Sequence, residues 1–297
     1  MLGLAAGVLV ALIGSAWLLR STGGRDFFLA RAIAVLPEGS VLRWQSIDGS
    51  LSGPLEIHGL HYAYKAHRFD AARVRIDHGL WPLLSGRLDI NSLAIEGGVW
   101  VIPRDDSPTE LPKWPDILPQ LDMPLTVSVR ELKVRGLQLL HGPDPLARIS
   151  RIDGALRVGL GRLQLTQMVL VSSLGVLRIH GEYLPTENFR STLDGRVVFP
   201  AVSDAPPALL TFAARGDLDD FGLSLAGRAP APVALTLALH DGNAKRPRWK
   251  VDATTTHWVP LQTGLADAGP IAMDLHGVGD GGRARLRGSL ARDGLAL

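Results

Sequence analysis

Few side chains in this chain stand at spacings that could do chemistry, and each set misses a physical requirement. His58 and His61 are three apart, a helical spacing, but they sit in the strand-like "LEIHGLHY" with no third ligand near in sequence. A zinc site needs three or four convergent groups. Asp105 and Asp106 lie in a proline-flanked loop and Asp219 and Asp220 beside a turn, so both pairs read as solvated punctuation instead of carboxylates tuned by burial. "GVGDGG", Gly277 to Gly282, fits G-x-G-x-x-G. A dinucleotide site needs a helix next, and "RARLRGSL" continues with strand alternation, so the stretch reads as a hairpin turn. No G-x-S-x-G or P-loop pattern occurs, and cysteine is absent, which removes disulfides and thiolate ligands. The residues point to a protein that is not an enzyme, with no catalytic residue, metal site or cofactor.

Nucleic acid is an equally poor fit. Trp44, Trp81 and Trp100 are not interleaved with basic clusters, and 31 basic against 29 acidic residues leave a net charge of only +2. Packing or groove lining is the better use for these rings. With 46% hydrophobic residues the chain can bury a large core, and its 297 residues suggest two domains.

The elements that position these residues begin with Leu2 to Leu19, eighteen positions without a charge. At 1.5 Å per residue they make roughly 27 Å of helix, close to the hydrocarbon thickness of a bilayer. Trp17 stands where an interfacial aromatic would, and no small-x-small cleavage site follows, so residues 1–20 are expected to be a retained transmembrane signal-anchor. Arg20, Arg25 and Arg31 follow the span, and by charge count alone the bulk would be cytoplasmic unless a short basic leader precedes Met1. Residues 25–36 show helical spacing of Phe27, Ala30 and Ala34, within a short amphipathic segment at 21–39 that Pro37 and Gly39 end.

From Val41 the period becomes two, and one motif returns. "LEIHGLHY" at Leu55, "LDINSLAI" at Leu88, "VSVRELKV" at Val127 and "LQLTQMVL" at Leu163 each place apolar residues at positions 1, 3, 6 and 8, with starts 33, 39 and 36 residues apart. Such recurrence marks a stacked architecture. The slip between positions 3 and 6 reads as a β-bulge at His58–Gly59, Asn91–Ser92, Arg130–Glu131 and Thr166–Gln167, which returns all four apolar side chains to one face and curves the sheet. A tight turn between two short strands is the alternative. Further half-buried strands follow in "VALTLALH", "WKVDATTT" and "RARLRGSL", where Arg283, Arg285 and Arg287 oppose Ala284, Leu286 and Gly288. The repeated region spans 40–199. "SPTELPKWPDILPQLDMP" is an ordered excursion across an edge or groove rim, and Phe199 to Ala208 is a linker before further antiparallel strands at 208–297. No long helix is legible after residue 36, so the apolar face needs a closed barrel, a sandwich, or a long curved sheet that leaves it to a ligand.

The order of features carries a resemblance: an anchor, a short helix ending in "LPEG", then "IDGSLSGPLEIHGLHYAY", "LWPLLSGRLDINSLAIEGGVWV", the proline stretch and "MPLTVSVRELKVRGLQL". Over about residues 1–200 this resembles the N-terminal part of the TamB family, the inner-membrane component of the translocation and assembly module, related to AsmA-like and bridge-like lipid-transfer proteins. The resemblance implies a mostly β fold, an elongated curved groove of repeated bulged strands known as a β-taco. It also implies a single-pass inner-membrane protein with its bulk in the periplasm, overruling the charge count, and a conduit that moves phospholipid toward the outer membrane. The chain ends within a strand pattern, so a C-terminal region that would engage an outer-membrane barrel partner is expected beyond it. Ile57, Leu60, Ile90, Leu93, Val129, Leu132, Leu165 and Met168 are the expected lining for acyl chains. The alternative is a scaffold that assists outer-membrane protein assembly by offering sheet edges for strand addition.

Overall fold

The computed structural model describes residues 38–50, 53–79, 87–104, 118–119, 121, 126–201, 206–244, 246–258, 271–280, 283–292 and 295–296. The expected anchor, the short helix, Trp81 and the Asp105–Asp106 pair lie outside them. Among the described residues every regular element is a strand and no helix is long and apolar enough to cross a membrane. These strands fall into two compact units that divide inside β7 (Asp144–Gly159), between Ala155 and Leu156.

In the first unit β1 (Val41–Arg43) and β2 (Ser46–Gly49) pair side by side along β3 (Leu55–Tyr64), which is antiparallel to β4 (His67–Gly79). That strand is antiparallel to β5 (Arg87–Ile102), and β5 is parallel to β6 (Thr126–His141). The parallel pair aligns the second and third sequence repeats with each other: Leu88 stands beside Val127, Ile90 beside Val129, Leu93 beside Leu132 and Ile95 beside Val134. The 39-residue spacing is therefore a register. Parallel neighbours need a long crossover, and the proline-rich excursion supplies it.

The slips take two forms. At Asn91 the pairing jumps from Asp77–Ser92 to His78–Ile90, so one extra residue stands in β5, a bulge where the sequence placed it. At His58–Gly59 the register against β4 does not shift, because β4 slips by the same amount. Gly59, Ala72, Gly97 and Gly136 occupy one line across β3, β4, β5 and β6, between unbroken register pairs on both sides. The three glycines have φ of 60°, 62° and 68°. This left-handed turn of the backbone places two consecutive residues on the outer face, and only glycine enters it without steric cost. The expected bulge of two residues against one is here a crease shared by four strands.

The second unit is an antiparallel meander, starting with β8 (Arg162–Ser172), β9 (Gly175–Leu184), β10 (Arg190–Val198), β11 (Leu209–Gly216) and β12 (Asp220–Arg228). It continues through β13 (Pro232–His240), β14 (Arg248–Trp258), β15 (Ile271–Asp280), β16 (Arg283–Arg292) and β17 (Leu295–Ala296). β8 carries its bulge at Thr166–Gln167: Leu165 pairs with Gly181 and Met168 with Ile179, two residues against one, with Gln167 at φ 48°. The segment from Phe199 to Ala208 joins two paired strands, and the Phe199 N–H donates to the Ala208 carbonyl at 2.9 Å. β15 and β16 meet in a hairpin register ending at Asp280–Arg283, so "GVGDGG" leads from strand to strand.

Candidate functional site: one apolar face in each unit

Directly paired residues in adjacent strands share a face, so the registers assign every side chain. In the first unit one row runs Leu55, Ile76, Leu93, Leu132; the next runs Ile57, Val74, Ile95, Val134. Beyond the crease come Leu60, Ala71, Gly98, Leu137, and then Tyr62, Phe69, Trp100, Leu139. Below the bulge, Ile90 stands between His78 and Val129. All six residues expected to line a groove in this unit therefore lie on one face. Ile57, Ile90, Val129 and Leu132 are buried, at 9, 6, 3 and 8% exposure, while Leu60 and Leu93 are half-buried and pack on the Ile57–Ala71–Val74 cluster. Trp44 packs on the same cluster. A cavity of about 550 Å³ opens over this face, lined by Tyr62, Phe69, Ile95, Leu132 and Leu137, with Trp100 at its margin, 42% exposed.

The opposite face is charged. Arg73 reaches Glu56 at 3.1 Å and Glu96 at 3.2 Å, Arg135 reaches Asp153 at 2.7 Å, and Arg130 donates to Asn91 at 3.0 Å. The two histidines of the sequence motif belong here with separate partners. His58 lies 3.3 Å from Glu56, and His61 Nδ1 lies 2.5 Å from Asp70. Exposed pairs of this kind contribute roughly 0–1 kcal/mol each. Their larger effect is to set which face stays in water.

The second unit repeats the division. One row runs Leu165, Gly181, Leu193, Ala214, Leu223, Leu237, Val251, Gly277, Leu286; its neighbour runs Met168, Ile179, Gly195, Phe212, Leu225, Leu235, Ala253, Leu275, Gly288. Leu165 and Met168, the remaining expected lining residues, share this face. Its end row holds Tyr183, Ser191, Phe221, Leu239 and Trp249, which floor a cavity of about 450 Å³. Leu118 of the proline-rich segment lines the same cavity, and the Tyr183 hydroxyl donates to the Pro119 carbonyl at 2.9 Å. Burial raises the Tyr183 phenol above its ordinary value, so it stays protonated and keeps this donor through the physiological range.

Outside, Asp217 caps the turn at Asp219 and Asp220 by accepting their backbone N–H groups at 2.8 and 3.2 Å, which accounts for that acidic pair. His276 Nδ1 lies 2.7 Å from Asp252, whose hydrogen bond raises the imidazole above its ordinary value; the same bond, then Lys250, lowers the Asp252 carboxyl. The signs set a window. The raised histidine stabilises the fold below the ordinary histidine range and loses this as pH rises through its folded value. The lowered aspartate stabilises above the ordinary carboxylate range and loses this as pH falls through its own. Both contributions coexist at mildly acidic pH. His276→Gln is expected to lower the thermal midpoint slightly there and to match the parent in alkali; a pH-independent difference would refute the ion-pair account.

Sequence reasoning missed the aromatic residues Phe69, Phe221 and Trp249, and it missed that β4 carries the same slipped pattern as its neighbours. The signal was present in Phe69, Ala71, Val74 and Ile76, spaced as in the four repeats, but the charged "RVRID" around them reads as plain alternation. Gly279 also has a structural reason: a side chain there would meet the Trp249 indole at 2.2 Å, so the motif's glycine makes room for a ring on the apolar face.

Among the described residues no group of three or more His, Asp or Glu side chains could hold a metal ion. Comparison with protein families, characterised proteins and solved structures finds no match to this chain.

Proposed function

We propose that this protein is an anchored periplasmic lipid conduit, in which phospholipid acyl chains lie on the apolar sheet faces while headgroups stay in water, for transport from an inner toward an outer membrane. The observation that carries the reading is the alignment of apolar positions: the second and third repeats lie in register and the slips at Gly59, Ala72, Gly97 and Gly136 coincide, so apolar side chains from successive strands form rows, with the ion pairs on the other face. Each buried methylene stabilises a lipid tail by roughly 0.8 kcal/mol, so rows of this kind can hold a chain without any reactive group. Residues 2–19 serve as the retained anchor. An intact mass that includes them, and a reporter fused after residue 200 that is active only outside the cytoplasm, are the expected results.

The decisive experiment places a photo-crosslinking side chain at Ile90, on the apolar face, and separately at Asp89, its outward neighbour. Illumination of cells is expected to give phospholipid adducts at position 90 and not at 89. Equal labelling, or adducts to a client polypeptide along a strand edge in place of lipid, would refute the conduit, and the second outcome would establish the scaffold.

A further inference from the structure

One end of the apolar face in the first unit carries nitrogen donors that no acid answers. Lys65 stands at the tip of the β3–β4 hairpin, and Tyr64 pairs with His67 beside it, so the Tyr64 ring and the His67 imidazole share the face of Tyr62 and Phe69. Lys65 turns back to the same ring: its Nζ lies 5.3 Å from the centroid of Tyr64. Tyr64 and His67 themselves line the 550 Å³ cavity, whose wall continues past the crease to Leu132 and Val134. A single cavity thus joins a polar end row to an aliphatic floor, and its size falls among small-ligand pockets, about 300–1,000 Å³.

The registers of β3 to β6 put no carboxylate on this face. On the outer faces the pattern is the reverse: His58, His61, His180, His240 and His276 each lie 2.5–3.6 Å from a carboxylate. Arg68, which also borders the cavity, reaches Asp70 at 3.1 Å on the outer side. Lys65 and His67 are both exposed and have no such partner among the described residues. An ammonium and an imidazole N–H beside the Tyr64 hydroxyl are donors suited to phosphate oxygens, so the anion has to come with the ligand.

We propose that this end row is a headgroup site for anionic phospholipid, with the phosphodiester among Tyr64, Lys65 and His67 and an acyl chain in the cavity between Phe69, Trp100 and Leu137. The inference rests on the lipid reading above and adds selectivity to it: at this site lipids with net negative heads are preferred over zwitterionic ones of the same chains. The Lys65 ammonium attracts the phosphate of either lipid but repels the choline cation that a zwitterionic head brings with it.

The test offers the full-length chain, extracted in non-ionic detergent, equal amounts of phosphatidylglycerol and phosphatidylcholine that carry the same photoreactive group at the end of one acyl chain. Tandem mass spectrometry then assigns each adduct to its residue and its lipid. At Leu132, Val134 and Leu137 phosphatidylglycerol adducts are expected to exceed phosphatidylcholine adducts about fivefold, and excess glycerol phosphate leaves the ratio in place. The variant K65N/H67Q is expected to bring the ratio near one with an unchanged circular-dichroism spectrum, because asparagine accepts the left-handed backbone that Lys65 adopts at φ 53°. R130Q/K133Q, which removes two exposed cations from the outer face of β6, is expected to keep the preference. Equal labelling by the two lipids in the parent would overturn the headgroup site and leave the conduit standing, as would lipid adducts confined to other residues, whereas no adduct on either apolar face would overturn both. Preference surviving in K65N/H67Q, or lost equally in R130Q/K133Q, would make it a general charge effect and overturn the assignment. A ratio that glycerol phosphate brings to one would make the end row a free-phosphate site and overturn it as well.

Discussion

Leu93→Arg is expected to abolish lipid retention while leaving a folded protein. Leu93 stands between Ile76 and Leu132 in the row and packs on the Ile57–Ala71–Val74 cluster, but it is only half-buried. An arginine there puts a charge in the path of acyl chains, where no water compensates it once lipid is present, at a cost of several kcal/mol. In the lipid-free protein the long side chain can carry its guanidinium to the open side, so the folding cost is about 1–3 kcal/mol. Val129→Arg is different. Val129 is 3% exposed, and a charge at that depth is expected to cost more than about 4 kcal/mol and prevent folding. Gln138→Arg, on the exposed outer face of the same strand, is expected to change neither property. Lipid recovered with each purified variant and its thermal midpoint provide the two readouts. A Leu93→Arg protein that unfolds as completely as Val129→Arg would mean the face is a sealed core, and the conduit reading would fail.

The second large effect is expected at the crease. Gly136 has φ 68°, and a Cβ added there would have only the Gly97 nitrogen near it, at 4.0 Å, so substitution tests the backbone without a clash. Gly136→Ala is expected to cost about 1–2 kcal/mol, the penalty for an L-residue in the left-handed region. The alternative is worse, because a return to extended backbone would send Leu137 and Leu139 to the charged face and Gln138 to the apolar one. Gly136→Asn is expected to recover most of the stability, since asparagine tolerates this conformation. Denaturant unfolding of the three proteins gives the ranking. Equal loss in alanine and asparagine variants would show that the crease depends on something other than φ.

Much of this was legible in the sequence because side-chain alternation is a local property. The repeats at Leu55, Leu88, Val127 and Leu163 announced strands, the slip at their centres announced a break in alternation, and the bulges at Asn91 and Thr166–Gln167 follow from it. Within each unit the expected lining residues were also placed on one face by counting, since one extra outward residue in a strand keeps positions 3 and 6 together. Pairing, in contrast, is non-local. Nothing in "LEIHGLHY" says that β4 will slip with β3 at Ala72 and turn a bulge into a crease, because the slip there depends on which strand lies opposite. That the 39-residue repeat is a parallel register depends on how the chain returns after the proline-rich segment. The cavities were further still from view. Arg246 and Arg285 are 39 residues apart, and only the pairing of β14 with β15 and of β15 with β16 brings them to the wall of one cavity.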